Sequence, residues 1–202
     1  MTASPARTDR TTTILIAASG VALFGYLALR PWAAGDTAAG WADPRWPLSH
    51  LLAVAGFVAY AALGARLTGR LGRILSGAAL ALLLPYYGAE AFALPALHGL
   101  APEQAQAIAQ AFRYGPIPMV TFGLGWVALG WLAVLTARAL RSPERLGRIA
   151  VILHTAAMLA WLPVFFLPAA GRLAHAALVG TTALVIALRA PQPTASPAPA
   201  VA

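Results

Sequence analysis

Apolar residues gather along this chain in six long runs, separated by short segments rich in Arg, Pro and Gly: residues 12–29, 48–65, 74–97, 117–137, 149–167 and 173–188. Each run is long enough, or nearly so, to cross about 30 Å of hydrocarbon. A membrane span must satisfy its own backbone hydrogen bonds, which leaves helices and closed barrels. Barrel strands alternate polar and apolar residues, and these runs do not alternate. The pattern therefore predicts an all-α, polytopic integral membrane bundle of six transmembrane helices. Residues 1–11 form an N-terminal segment, 12–189 the membrane domain, and 190–202 a Pro/Ala-rich tail too poor in large apolar groups to pack.

Composition agrees with that class. The chain is 60% hydrophobic and 10% charged, whereas soluble domains carry roughly 25% charged residues. All fourteen basic residues are Arg, and the net charge is +8. Because the Arg residues sit at the edges of apolar runs, they read as topology signals and not as a nucleic-acid surface. With the N-terminus in the cytoplasm, the inside segments hold Arg7, Arg10, Arg66, Arg70, Arg73, Arg138, Arg141, Arg145, Arg148 and Arg189. The outside segments hold Arg30, Arg45, Arg113 and Arg172. This bias places both termini in the cytoplasm and the protein in a cell membrane, by the same logic a bacterial inner membrane. The first run is longer than a signal-peptide core, and Arg30-Pro31-Trp32 is a poor cleavage context, so it is expected to stay as a helix.

The two longer outside segments carry their own expectations. Trp32, Trp41 and Trp46 suit the headgroup belt. Pro102 can open a short surface helix, with Ile108 and Phe112 four residues apart on its membrane-facing side. Leu71-Gly72-Arg73-Ile74 is echoed by Leu146-Gly147-Arg148-Ile149, and a Leu-Pro pair follows each; a shared cytoplasmic start and a shared Pro kink account for that likeness. Small residues four apart, such as Ala55, Ala59, Gly77 and Ala81, favour close helix packing.

Chemistry enters with Glu90, an acid inside the third run. Ionisable groups at such depth are costly and mark functional sites. Tyr86 and Tyr87 lie four and three residues before it, on the same helical face. Pro85 predicts a kink that frees nearby carbonyls. His50, His98 and His175 fall near the outer ends of the second, third and sixth runs, while His154 stands alone nearer the inner side. The expected ligand-binding set is thus Tyr86, Tyr87, Glu90, His50, His98 and His175, in the outer half of the bundle.

Three functions fit this set. The leading one is a site that binds or moves a small molecule, a proton or a lipid, with Glu90 at its centre; transport would call for a homo-oligomer, because six helices are few for a transporter. The second is a membrane-embedded enzyme on a lipid or isoprenoid, with Glu90 as catalytic general acid and ring faces of Phe92, Trp126, Trp131, Trp161, Phe165 and Phe166 around a cation. The third is haem binding. In helix and histidine count the chain is similar to the two-haem b-type cytochromes, but His154 has no inner-level partner, so that paired pattern fails. The sequence requires no cofactor and assigns no metal site. It lacks Cys, a Gly-x-Ser-x-Gly elbow, a His-Glu-x-x-His pair and a phosphate-binding loop. Ser49-His50 is a neighbouring pair whose side chains diverge by about 100° on a helix.

Overall fold

In the computed structural model, residues 10–140, 142 and 144–189 are described. They are mostly helical, joined by short loops, with no strand among them. The tail expected over 190–202, and Arg7 in the N-terminal segment, lie outside the described residues. In chain order the helices are α1 (Arg10–Leu29), α2 (Ala38–Trp41), α3 (Arg45–Leu67), α4 (Gly69–Gly88), α5 (Leu94–Ala96), α6 (Pro102–Tyr114), α7 (Pro116–Ala139), α8 (Arg145–Leu159), α9 (Trp161–Val164) and α10 (Ala169–Arg189). A π-helical turn over Ala89–Ala93 joins α4 to α5, and a tight 3-10 turn, Leu97–Gly99, follows.

Five helical segments are long and apolar enough to cross a membrane: Arg10–Leu29, Arg45–Leu67, Gly69–Gly99, Pro116–Ala139 and Ala169–Arg189. The expected fifth run, 149–167, does not form one uninterrupted helix. It divides into α8 and the single turn of α9. Pro163 is the cause: it has no N–H to donate to the carbonyl of Leu159, the last residue of α8.

The long helices form a closed ring in the order α1, α3, α4, α7, α8, α10 and back to α1. Close approach is built into the α1–α10 seam. A Cβ placed on Gly20 would overlap the Cβ of Ala183, so only glycine admits the contact. The interior is a continuous apolar core from Ile16 and Leu23 through Phe57, Tyr60, Leu83 and Leu132 to Val179 and Ala183. Outside, Val21, Val58, Ile74, Val127, Ile152 and Leu188 are exposed around the whole ring. An apolar belt of that kind suits lipid, not water.

A second, smaller core caps one end. Trp41, Trp46, Leu94, Ala105 and Ala109 pack together there. In α6, Ala105, Ala109 and Arg113 are buried at intervals of four, which is one helical face. The expected face, Ile108 with Phe112, is only half right: Phe112 packs on this cluster, while Ile108 is exposed. Trp41 and Trp46 are fully buried, not spread along a headgroup belt. Their indoles fill the cap because small alanines opposite them leave room.

Candidate functional site

The cap closes over a cavity of about 650 Å³ at the end of the ring. Its walls come from the end of α1 (Tyr26, Arg30), the following loop (Trp32, Asp36), the start of α3 (Trp46, His50), the end of α4 (Tyr86, Tyr87), the π turn (Glu90), α6 (Arg113), the start of α7 (Met119, Phe122, Gly123), the α9 region (Phe165, Phe166) and the start of α10 (Arg172). Ends of some helices meet starts of their ring neighbours, so the long helices alternate in direction.

Glu90 is held at this cavity by a local backbone irregularity. In the π turn the N–H of Leu94 donates to the carbonyl of Ala89, five residues back. In the same register the next donor would be residue 95, which is Pro and has no N–H. The carbonyl of Glu90 is thereby freed, and Trp46 Nε1 donates to it across the bundle at 2.9 Å. The kink expected at Pro85 is displaced: α4 runs helical through Pro85, and the irregularity falls at Ala89–Ala93. π turns recur at functional sites because they re-aim a side chain.

The Glu90 side chain is 1% exposed. Arg113 Nε donates to its Oε1 at 2.7 Å. The same guanidinium donates from Nη1 to Asp36 Oδ2 at 2.5 Å, and Trp41 Nε1 donates to Asp36 Oδ1 at 2.8 Å. Arg113 therefore ties α6 to α4 and to the first outer loop. Burial opposes its charge, but Glu90 and the other neighbours outweigh burial and hold its pKa above the ordinary arginine value.

Glu90 Oε2 has no hydrogen-bond partner. It lies 3.4 Å from His50 Nε2, which is also without one. His50 Nδ1 is 2.7 Å from the carbonyl oxygen of Trp46. A carbonyl only accepts, so Nδ1 carries a proton, and in the neutral ring Nε2 is then an acceptor. Two acceptors face each other, and the gap takes one proton or the donor hydrogen of a third group.

Arg30 stands on the other wall. It donates from Nη1 to Tyr26 Oη at 2.8 Å, and its guanidinium carbon lies 4.5 Å from the ring centre of Trp46 and 4.7 Å from that of Trp32. Burial disfavours its charge, yet Tyr26, Glu90 and Asp36 together raise its pKa above the ordinary value. Arg172 lies 4.2 Å from the same Trp32 ring. Such cation–ring contacts are worth about 0.5–2 kcal/mol each.

Of the residues expected from sequence, Tyr86, Tyr87, Glu90 and His50 line this cavity. His98 does not: it is exposed, with Nδ1 3.0 Å from the carbonyl oxygen of Pro95. His175 does not either, and packs edge-on against Trp161 at 5.5 Å. The rings of Tyr26 and Trp161 stand in series between His50 and His175, so the facing histidine pair that haem ligation needs is not assembled from His50, His98 and His175. Ser49 Oγ donates to the carbonyl of Trp46 and is no part of the cavity wall. Arg30, Asp36, Trp46 and Arg113 complete the site, and sequence reasoning had assigned the two Arg to topology and Trp46 to the headgroup belt. No family model, curated protein or solved structure matches this chain.

Proposed function

We propose that this protein is a multi-pass membrane protein that binds a small amphiphilic molecule in a cavity at the outer face of the bundle, with Glu90 and His50 at its blind end. The observation that carries the reading is the unpaired, buried Glu90 Oε2 beside His50 Nε2 on the wall of a cavity rich in aromatic rings. Sites for small molecules combine this apolar lining with a few convergent polar atoms. The gap between the two acceptors receives a hydroxyl or amine hydrogen of the ligand, or a proton.

The topology belongs to the same proposal. The ring puts Arg10, Arg66, Arg70, Arg73, Arg138, Arg145, Arg148 and Arg189 at helix ends opposite the cavity, and the positive-inside rule makes that end cytoplasmic. Exposed Ile152 and Leu153 on α8 fit a sixth, broken crossing with its outer part completed by α9. The site then lies in the outer half of the bundle, and the membrane is a cell membrane of bacterial inner type.

Catalysis at Glu90 is the second reading. It rests on the same free oxygen, which could protonate a bound group while Arg113 keeps Oε1.

Gly123 supplies the test. It lines the cavity, and a Cβ there would meet nothing within 4 Å. Gly123→Phe therefore fills the cavity with little cost to packing. Purified protein incubated with a membrane lipid extract should retain a ligand mass in native mass spectrometry. Gly123→Phe should lose it and Glu90→Gln should weaken it. Equal retention by all three proteins overturns the reading. A new product mass that Glu90→Gln abolishes selects the enzyme.

A further inference from the structure

Three basic and two acidic side chains line the cavity: Arg30, Arg113 and Arg172 with Asp36 and Glu90. Arg113 takes both carboxylates for itself, one through Nε and one through Nη1. Arg30 and Arg172 are left without an acid at ion-pair distance among the described residues. Their polar contacts are the Tyr26 hydroxyl for Arg30 and the Phe165 carbonyl, at 2.9 Å, for Arg172. Arg172 Nε is buried without a partner. Both guanidiniums lie against one indole, that of Trp32, so they are no farther apart than the sum of two short contacts. Like charges within that distance repel unless an anion joins them.

The cavity also has a direction. Among its lining residues, Tyr114 (51% exposed) and Asp36 (side chain 40% exposed) lie on the cap side, whereas Met119 (47%) and Phe166 (89%) lie on the flank, at the start of α7 and the turn after α9. Met119 and Phe166 form the flank opening. Both are apolar, and Ile117 and Val120 beside Met119 are exposed as well. A mouth rimmed in this way faces hydrocarbon. The wall also presents the rings of Phe122, Phe165, Tyr86 and Tyr87, which suit a hydrocarbon chain.

We infer that the ligand is a membrane amphiphile whose head carries a single negative charge, held by Arg30 and Arg172, with its hydrocarbon chain leaving between Met119 and Phe166. The inference rests on the cavity being a binding site, as proposed above, and adds the ligand's charge and its route. One negative charge balances the excess of one cation. Arg is suited to this task because its planar fork meets carboxylate and phosphate oxygens in pairs.

The two sources of such a head are a fatty acid carboxylate and a lipid phosphodiester. Trp32 and Trp46 lie on the cavity wall, so bromine on a bound chain quenches their emission. The probes are dibromostearic acid at a pH where it is ionised, its methyl ester, brominated phosphatidylglycerol and brominated phosphatidylcholine, titrated into protein in a neutral maltoside. The acid or the phosphatidylglycerol should quench at about tenfold lower concentration than its uncharged or zwitterionic counterpart, as a charge-assisted hydrogen bond implies. Whichever of the two does so names the source. Arg172→Gln should remove most of that preference, and Arg30→Gln the remainder. Arg172 is the decisive position, because its side chain is only partly buried and its loss spares the Tyr26 contact.

Equal quenching by charged and neutral probes overturns the inference and leaves the cavity reading standing. A preference that survives both Arg substitutions also overturns it. Absence of quenching by every probe, unchanged in Gly123→Phe, overturns the cavity reading itself.

Discussion

Replacing Arg113 by Met keeps the apolar stem of the side chain and removes its guanidinium, with its charge and donors. Two contacts are lost, and they differ in weight. The contact with Glu90 is buried at both ends, with 4% and 2% of the side chains exposed; stripping one partner from such a pair costs about 3–5 kcal/mol, because it leaves an unpaired charge in a low dielectric. The contact with Asp36 has a partner 40% exposed, so solvent screening holds its share to about 0.2–1 kcal/mol. The Glu90 arm therefore decides the outcome. Adding Glu90→Gln to Arg113→Met removes the stranded carboxylate, and the double variant should be more stable than the sum of the two single losses by about 0.5–3 kcal/mol. Asp36→Asn should cost less than about 1 kcal/mol. The assay is unfolding in mixed micelles followed by far-UV circular dichroism, for the wild type, both single variants and the double. Additive losses, or an Asp36→Asn effect as large as that of Arg113→Met, would refute the assignment of Arg113 as the clamp on a buried Glu90.

Other consequences can be checked with single changes. Trp46→Phe keeps an aromatic ring but removes the N–H bonded to the Glu90 carbonyl and part of the buried indole volume; the bare carbonyl alone should cost about 1–3 kcal/mol in the same assay, and the void adds to it. Gly20→Leu should loosen the α1–α10 seam, where a Cβ already overlaps Ala183, at a cost of at least about 1–3 kcal/mol. His98→Ala should leave probe quenching unchanged, since His98 is exposed outside the cavity wall, whereas His50→Ala should weaken it. With the cavity side outward, Ala101→Cys should react with an impermeant thiol reagent in intact cells and Ser142→Cys should not.

Much of the bundle was legible because hydrophobic runs and Arg edges report lipid directly. Glu90 stood out for a related reason: one acid in an apolar run has no neutral explanation by composition. Tyr86 and Tyr87 followed from helical spacing, and that spacing held because α4 stays regular up to Gly88. The same reasoning failed at His98. A straight α-helix would carry the phase from Glu90 to His98, but the π turn adds a residue to one turn and the 3-10 turn removes part of the next, so phase is lost between 90 and 98. His175 was assigned by depth alone; Arg172, three residues earlier, occupies the cavity wall instead. Arg113 carried a readable signal that was missed: it continues the Ala105, Ala109 series at intervals of four and so belongs to the buried face of α6. Arg30 and Asp36 lie in irregular chain, where no periodicity reports their direction.

The charge pattern links the cap to the cavity energetically. Arg113 satisfies Glu90 and Asp36 and draws α6 down onto α4, while the alanine face of α6 seals the cap over Trp41 and Trp46. Among the described residues no ion pair anchors the flank formed by α9 and the start of α10, where Arg30 and Arg172 both lie against the Trp32 ring. An anion between them replaces their repulsion with two attractions and joins α1 to α10 at the outer end. A ligand that binds only the folded protein stabilises it by RT ln(1 + [L]/Kd), about 2.7 kcal/mol at a hundred times Kd. The charged probe should therefore raise the unfolding midpoint of the wild type and not that of Arg172→Gln. Protection should concentrate in the backbone amides of α9 and the first turns of α10, measured by hydrogen exchange. Protection confined to α6 would instead place the ligand's head at Arg113, and the division of labour between the three Arg would be wrong.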